Sequence, residues 1–173
     1  KIAMSGEIVD KPIDTAEKTL ISLANPEMVD RLMSLAIMLR KEKSTVPLTA
    51  VNVVLDEDET QMTRGTRVLE KAADIAATVN VQLLTKIRLT TNLSHGIIHE
   101  MKENNYHELI VGFHEKSSPN DSFLGTVLPE LLTGLHSQII MARLTMPINT
   151  IRCIHITFPA KTEFEAGFFH WVD

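Results

Sequence analysis

Apolar and polar positions along this 173-residue chain alternate between two periods, one near 2 and one near 3.6. "TLISLA" (19–24) is a short apolar run stopped by "NP", a strand running into a turn. From Glu27 onward, Val29, Leu32, Met33, Ala36 and Leu39 recur at helical spacing up to the charged "RKEK" (40–43), which suits a helix C-terminus. "PLTAVNVVL" (47–55) is rich in β-branched residues and ends in the acidic turn "DEDET". Val68, Ala72, Ile75 and Val79 mark a second helical face, and "VQLLTKIRL" (81–89) reads as a strand. Asn92 is an N-cap for a third helix, with Leu93, Ile97, Ile98 and Met101 inside and "ENN" closing it. "ELIVG" (108–112) is the next strand. After a long polar loop, Leu128, Leu131, Leu132 and Leu135 form a helical stripe, and "SQIIMAR" (137–143) is strand again.

Strand and helix therefore alternate, β-α-β-α-β-α-β-α-β, with short connections. Right-handed crossovers then place each helix over the sheet, which predicts a doubly wound α/β domain over residues 18–144: a five-stranded parallel sheet with helices on both faces. Most of the strands are apolar on both sides, as buried parallel strands are. Residues 1–17 lack a sustained period and read as a lead-in arm. "INTIRCIHITFP" (148–159) adds a further strand pattern at the C-terminus, with apolar groups on both of its faces, followed by the helical start "AKTEFEAGFFHWVD". It parallels "KTLISLANPEMVDRL" (18–32): a β-rich run, a Pro-containing turn and an amphipathic start. The expectation is that residues 148–173 open a truncated second unit of the same kind, and that the chain is an excised piece of a longer protein.

Composition narrows the function. Apolar residues are 44% and charged residues 23%, so a sizeable core is available. Lys and Arg number 17 against 22 Asp and Glu, a net charge of −5 without a basic stripe, which argues against nucleic-acid binding. The single cysteine, Cys153, excludes an internal disulfide and reads as a buried strand residue. No run approaches the ~18 apolar residues of a membrane span.

In an open doubly wound sheet, ligands bind beyond the carboxyl ends of the strands, where the strand order reverses. "ANPE", "VLDEDE" and "GFHEKSSPNDSFLGT" are the segments expected to meet there. Gly125 and Thr126, opening the last helix, offer backbone N–H groups and a hydroxyl to an anion, or simply cap the helix. The order of elements and this loop together resemble the universal stress protein family over residues 18–144. Members of that family carry Gly-x2-Gly-x9-Gly-[Ser/Thr] after the fourth strand, and nucleotide-binding members cradle phosphates there. Gly112, Gly125 and Thr126 match that pattern at the correct spacing.

The departures count as much. The second glycine falls on Glu115, whose side chain and charge oppose a phosphate. The aspartate that lines the nucleotide site after the family's first strand falls on Ala24, and Pro129 removes one N–H donor from the last helix. Asp121 adds a further negative charge, and Lys116 is the one helpful cation. Ala24, Gly112, Glu115, Gly125 and Thr126 are thus positions of a degenerate nucleotide site, with no cofactor expected and ATP disfavoured. His95 and His99 stand i, i+4 on one helix, but no third ligand has a definable position, so they read as surface histidines and no metal site is assigned. His107 and His114 flank the fourth strand. No side chain has a base and an orienter beside it, so no catalytic set is assigned and the chain reads as a non-enzyme.

Ala-Asn-Pro stands where stand-alone stress proteins usually have Asp-Gly-Ser. In this the chain looks like the cytoplasmic tails of bacterial sodium/proton antiporters of the monovalent cation:proton type, which carry tandem stress-protein-like units. That resemblance implies a regulatory or assembly domain at the cytoplasmic face of the inner membrane, covalently attached to a membrane transport domain. It also implies a homodimer through the sheet edge formed by the last strand. The alternative is a stand-alone universal stress protein that binds ATP or another nucleotide.

Overall fold

The computed structural model describes residues 17–41, 44–55, 59–112, 127–157 and 159–164. In chain order these form β1 (Thr19–Ser22), α1 (Val29–Leu39), β2 (Leu48–Leu55), α2 (Glu59–Thr78), β3 (Leu83–Thr90), α3 (Leu93–Glu103), β4 (Glu108–Gly112), α4 (Val127–Gly134) and β5 (Gln138–Ala142). The five strands make one parallel sheet in the order β3-β2-β1-β4-β5. The expected doubly wound α/β architecture is therefore present, and the order reverses between β1 and β4.

Period-2 alternation within each central strand divides the core in two. Ile21 of β1, Leu23 just after it, Ala50 of β2 and Ile110 of β4 pack against Val29, Leu32, Met33 and Ala36 of α1 and Val68, Leu69, Ala72 and Ala76 of α2. On the opposite face, Leu20, Val51 and Leu109 meet Ile97 and Met101 of α3, Leu128 and Leu131 of α4, and Leu135 just beyond α4. Each fully buried Leu or Ile contributes roughly 1.5–3 kcal/mol, so both layers are needed for the sheet to stand.

Local chemistry sets the helix ends. The Asn92 side-chain oxygen accepts the His95 N–H at 3.0 Å, capping α3. α2 and α3 both stop on an asparagine in the left-handed region, Asn80 (φ 54°) and Asn105 (φ 53°). The Val81 N–H then returns to the Ala76 carbonyl and the Tyr106 N–H to the Met101 carbonyl, each at 3.0 Å. At the end of α1, Arg40 donates from Nη2 to the Ser44 and Val46 carbonyls and so closes the turn into β2.

Four expectations need correction. Val79 lies beyond α2 and is exposed, because the helix has already ended at Thr78. Leu93 and Leu132 belong to their helices but point outward: each lies one position off the stripe that meets the sheet. The C-terminal strand over 148–159 is not formed. Ile148–Thr150 is a single 3-10 turn, residues 151–157 pair with no described strand, and their side chains are exposed. Cys153 is accordingly exposed rather than buried, with Sγ 3.4 Å from His155 Nε2. A strand pattern forms a strand only where a neighbour supplies the other half of each hydrogen bond, and among the described residues none does. Phe168, Phe169 and Trp171, which share the tail, lie outside the described residues. Among the described residues no helix is long and apolar enough to cross a membrane.

Candidate functional site

The carboxyl ends of β1 and β4 lie side by side, with Ser22 opposite Val111 in register. Ala24, two residues past that pair, is exposed at the mouth, and Gly112 closes β4 on the adjacent strand. The structure thus brings together two of the positions predicted for the site. The other three, Glu115, Gly125 and Thr126, lie outside the described residues, as do His114, Lys116 and Asp121.

Gly112 has a structural requirement of its own. A Cβ there would sit 2.8 Å from Cδ1 of Leu32 on α1, so a side chain would force the end of Leu32 to shift. The glycine at the first position of the phosphate-loop pattern thus also leaves room for the Leu32 side chain.

The loop after β1 is tied from below by groups on β2 and α2. Asn52, in the middle of the apolar run of β2, is buried, and its amide Nδ2 donates to the Leu23 carbonyl at 2.6 Å. The Leu23 N–H meanwhile donates to the Val51 carbonyl at 2.9 Å, so β1 stays attached to β2 up to the residue before Ala24. Gly65 on α2 makes room for Asn52, because a Cβ at that position would overlap Asn52 Oδ1. Lys71, also on α2, donates to the Pro26 carbonyl at 3.3 Å and pairs with Asp30 in the first turn of α1. The loop closes on itself through Asn25, whose side-chain oxygen accepts the Glu27 N–H at 3.0 Å and whose carbonyl accepts the Met28 N–H at 3.1 Å.

On the far wall, Ser94 at the start of α3 is buried, and its hydroxyl donates to the Val127 carbonyl at 3.4 Å. That contact holds the first residue of α4 where the long loop rejoins the fold. Pro129 sits in the first turn of α4 and contributes no N–H to that end. What the described part of the mouth presents to a ligand is therefore a methyl group at Ala24 and a glycine at Gly112. Lys71, which reaches the loop after β1, is already engaged by Pro26 and Asp30.

The groups with shifted titration lie elsewhere. On β3, a hydrogen bond from Lys86 to Glu100 raises the lysine pKa. The two-point hydrogen bond of Arg88 to Glu103 raises the guanidinium and lowers the Glu103 carboxyl. At the amino end of β4, burial pushes the Glu108 carboxyl up, and the hydrogen bond from Thr19 Oγ1 at 2.9 Å opposes this only in part. His95 and His99 are both exposed on α3, with His99 Nδ1 3.7 Å from Glu103 Oε1. Among the described residues, no three His, Cys, Asp or Glu side chains are grouped to hold a metal ion. Asn52, a lone amide inside the apolar run "TAVNVVL", is the one local hint of the support beneath the β1 loop.

No family profile matches the chain. No curated protein matches it either. Solved structures do. The universal stress protein from Archaeoglobus fulgidus superposes with a TM-score of 0.62 at 12% identity, covering 72% of this chain and 97% of that one. The same protein in complex with dAMP gives 0.59 at 11% identity, covering 72% and 96%. A universal stress protein family protein from Arabidopsis thaliana with AMP bound gives 0.55 at 16% identity, covering 75% and 93%. At these identities the likeness is one of fold: this chain carries a universal stress protein-like α/β domain.

Proposed function

We propose that this domain is a non-catalytic regulatory or assembly module of a sodium(cation)/proton antiporter, carrying a nucleotide site that has lost its ligand-binding groups. The observation that supports the lost site best is Ala24. It occupies the end of β1 at the switch point with a methyl group, on a loop whose neighbouring carbonyls are satisfied by Asn52 and Lys71. In this reading the module acts through its surfaces, pairs with a second copy along the β5 edge, and sits at the cytoplasmic face of the inner membrane because a transport domain holds it there. The antiporter attachment rests on the Ala-Asn-Pro resemblance. Sequencing the gene upstream tests it: about a dozen apolar stretches of ~20 residues support the reading, and a start codon near residue 1 removes it.

The second reading, a stand-alone universal stress protein that binds a nucleotide, is favoured by Gly112 at the phosphate-loop position and by the dAMP and AMP bound in two proteins of the same fold. Calorimetry with Mg-ATP at millimolar concentration separates the two. The lost-site reading expects no saturable heat, whereas a dissociation constant in the low micromolar range establishes the alternative.

A further inference from the structure

We infer that residues 151–157 form an exchanged arm, which adds as a strand to the outer β5 edge of a second copy of this chain. The inference rests on the dimer reading above but specifies what covers the edge. Two incomplete surfaces carry it. Among the described residues, β5 pairs only with β4, so its outer row of N–H and C=O groups has no partner. The backbone of residues 152–157 makes no hydrogen bond among the described residues either, and Ile154 and Ile156 are each 71% exposed. Each segment offers what the other lacks, and strand addition to a bare sheet edge satisfies both.

Composition agrees with the pairing. β5 holds no charged residue in Gln138–Ala142, and "IRCIHIT" holds no proline, no glycine and no acidic residue. The arm does not turn back onto its own edge, because the connection is led the other way. Arg31 Nη1 on α1 grips the Leu144 carbonyl at 2.6 Å, and the Ile148–Thr150 turn packs against α1. α1 lies over β1 and β4, so this path carries the chain inward across the face and away from the outer side of β5.

The single native cysteine makes the inference testable. Four chains with Cys153→Ser, each carrying one new cysteine (Gln138→Cys, Ile139→Cys, Ile140→Cys or Met141→Cys), are mixed in turn with the unaltered chain and mildly oxidised. Strand pairing expects a mixed disulfide at twice the chain mass for alternate positions only, either 138 and 140 or 139 and 141, because successive side chains point to opposite faces. Light scattering on the same mixtures is run alongside. A dimer that cross-links at none of the four positions overturns the arm and leaves the edge-pairing reading standing. A monomer overturns both. The same new cysteines in chains that retain Cys153 give a third outcome: disulfides formed only within one chain show that the arm folds back on itself, and this also overturns the exchange.

Discussion

The two edges of the sheet are built on opposite plans. β3 is eight residues long and directs two cations, Lys86 and Arg88, onto α3. There Glu100, only 4% exposed, accepts from Lys86 at 2.7 Å, Arg88 at 2.9 Å and Asn104 at 2.9 Å, while Glu103 takes the rest of Arg88. Charges inside an edge strand make addition of another strand costly, because a newcomer would have to displace or bury them. β5 has five residues and no charge at all. The difference teaches that the sheet edges in this domain are built separately: one carries an ion network, and the other, among the described residues, carries neither charge nor a further strand.

The largest expected effect comes from breaking the closed edge. Glu100→Ala removes the acceptor shared by two cations and an amide. Loss of one partner from a fully buried ion pair costs about 3–5 kcal/mol, but Lys86 and Arg88 can turn partly to water, so about 2–3 kcal/mol is expected here. Urea denaturation measures it, and a loss under about 0.5 kcal/mol would mean that the network is ornamental. The next effect sharpens the open edge. Met141 is 46% exposed on β5, so Met141→Lys should change stability by no more than about 0.5 kcal/mol. It should nonetheless weaken dimerisation by about tenfold or more, since the edge would now carry a charge of the kind β3 uses. Sedimentation at several concentrations reads this out. An unchanged dimer would place the interface elsewhere.

The smallest effects are pH effects, and they run in opposite directions on the two sides of the sheet. Glu103, lowered by Arg88, contributes stability that is complete above the usual glutamate value of 4.5 and is lost as the pH falls through its lowered folded value. Glu108 lies opposite Gln138 of β5 and is raised by burial. Between 4.5 and its raised value the folded chain keeps a proton that the unfolded chain has released, so stability falls as the pH rises across that window. Glu108→Gln should abolish the second trend and leave the first, and Glu103→Gln should do the reverse. Thermal unfolding between pH 3 and 7, on a grid of about one pH unit, checks both, and the effect at Glu103 should shrink with added salt because its carboxylate is exposed. If Glu108→Gln left the slope above pH 4.5 unchanged, its burial would not be the source of that slope.

Much of the domain was legible in the order of residues because the relevant forces act within a turn or a strand. The switch from period 2 to period 3.6 marks each element. The Asn92 cap depends on a hydrogen bond three residues long, and "ENN" ends α3 because asparagine tolerates the left-handed region. Gly112 was legible as a special position: the loop pattern points to a phosphate, and the structure adds the nearness of the Leu32 side chain. Ala24 at the end of β1 was equally readable, since it depends only on where the apolar run stops.

What the sequence by itself determined is therefore local: the succession of five strands and four helices, the faces that Ile21, Leu32 and Met101 bury, and the absence of a carboxylate at position 24. The tertiary structure alone decided the contacts between segments far apart in the chain. Asn52 becomes the support of the β1 loop only when Leu23 lies 29 residues away in sequence and 2.6 Å away in space, and Gly65 matters only because α2 crosses above that amide. Glu100 is a buried charge only because β3 brings Lys86 and Arg88 to it. "IRCIHIT" shows the converse case. Its alternation is as strand-like as that of β5, yet a strand is half of a pair, and the other half of each hydrogen bond has to come from a neighbour that local patterning cannot specify.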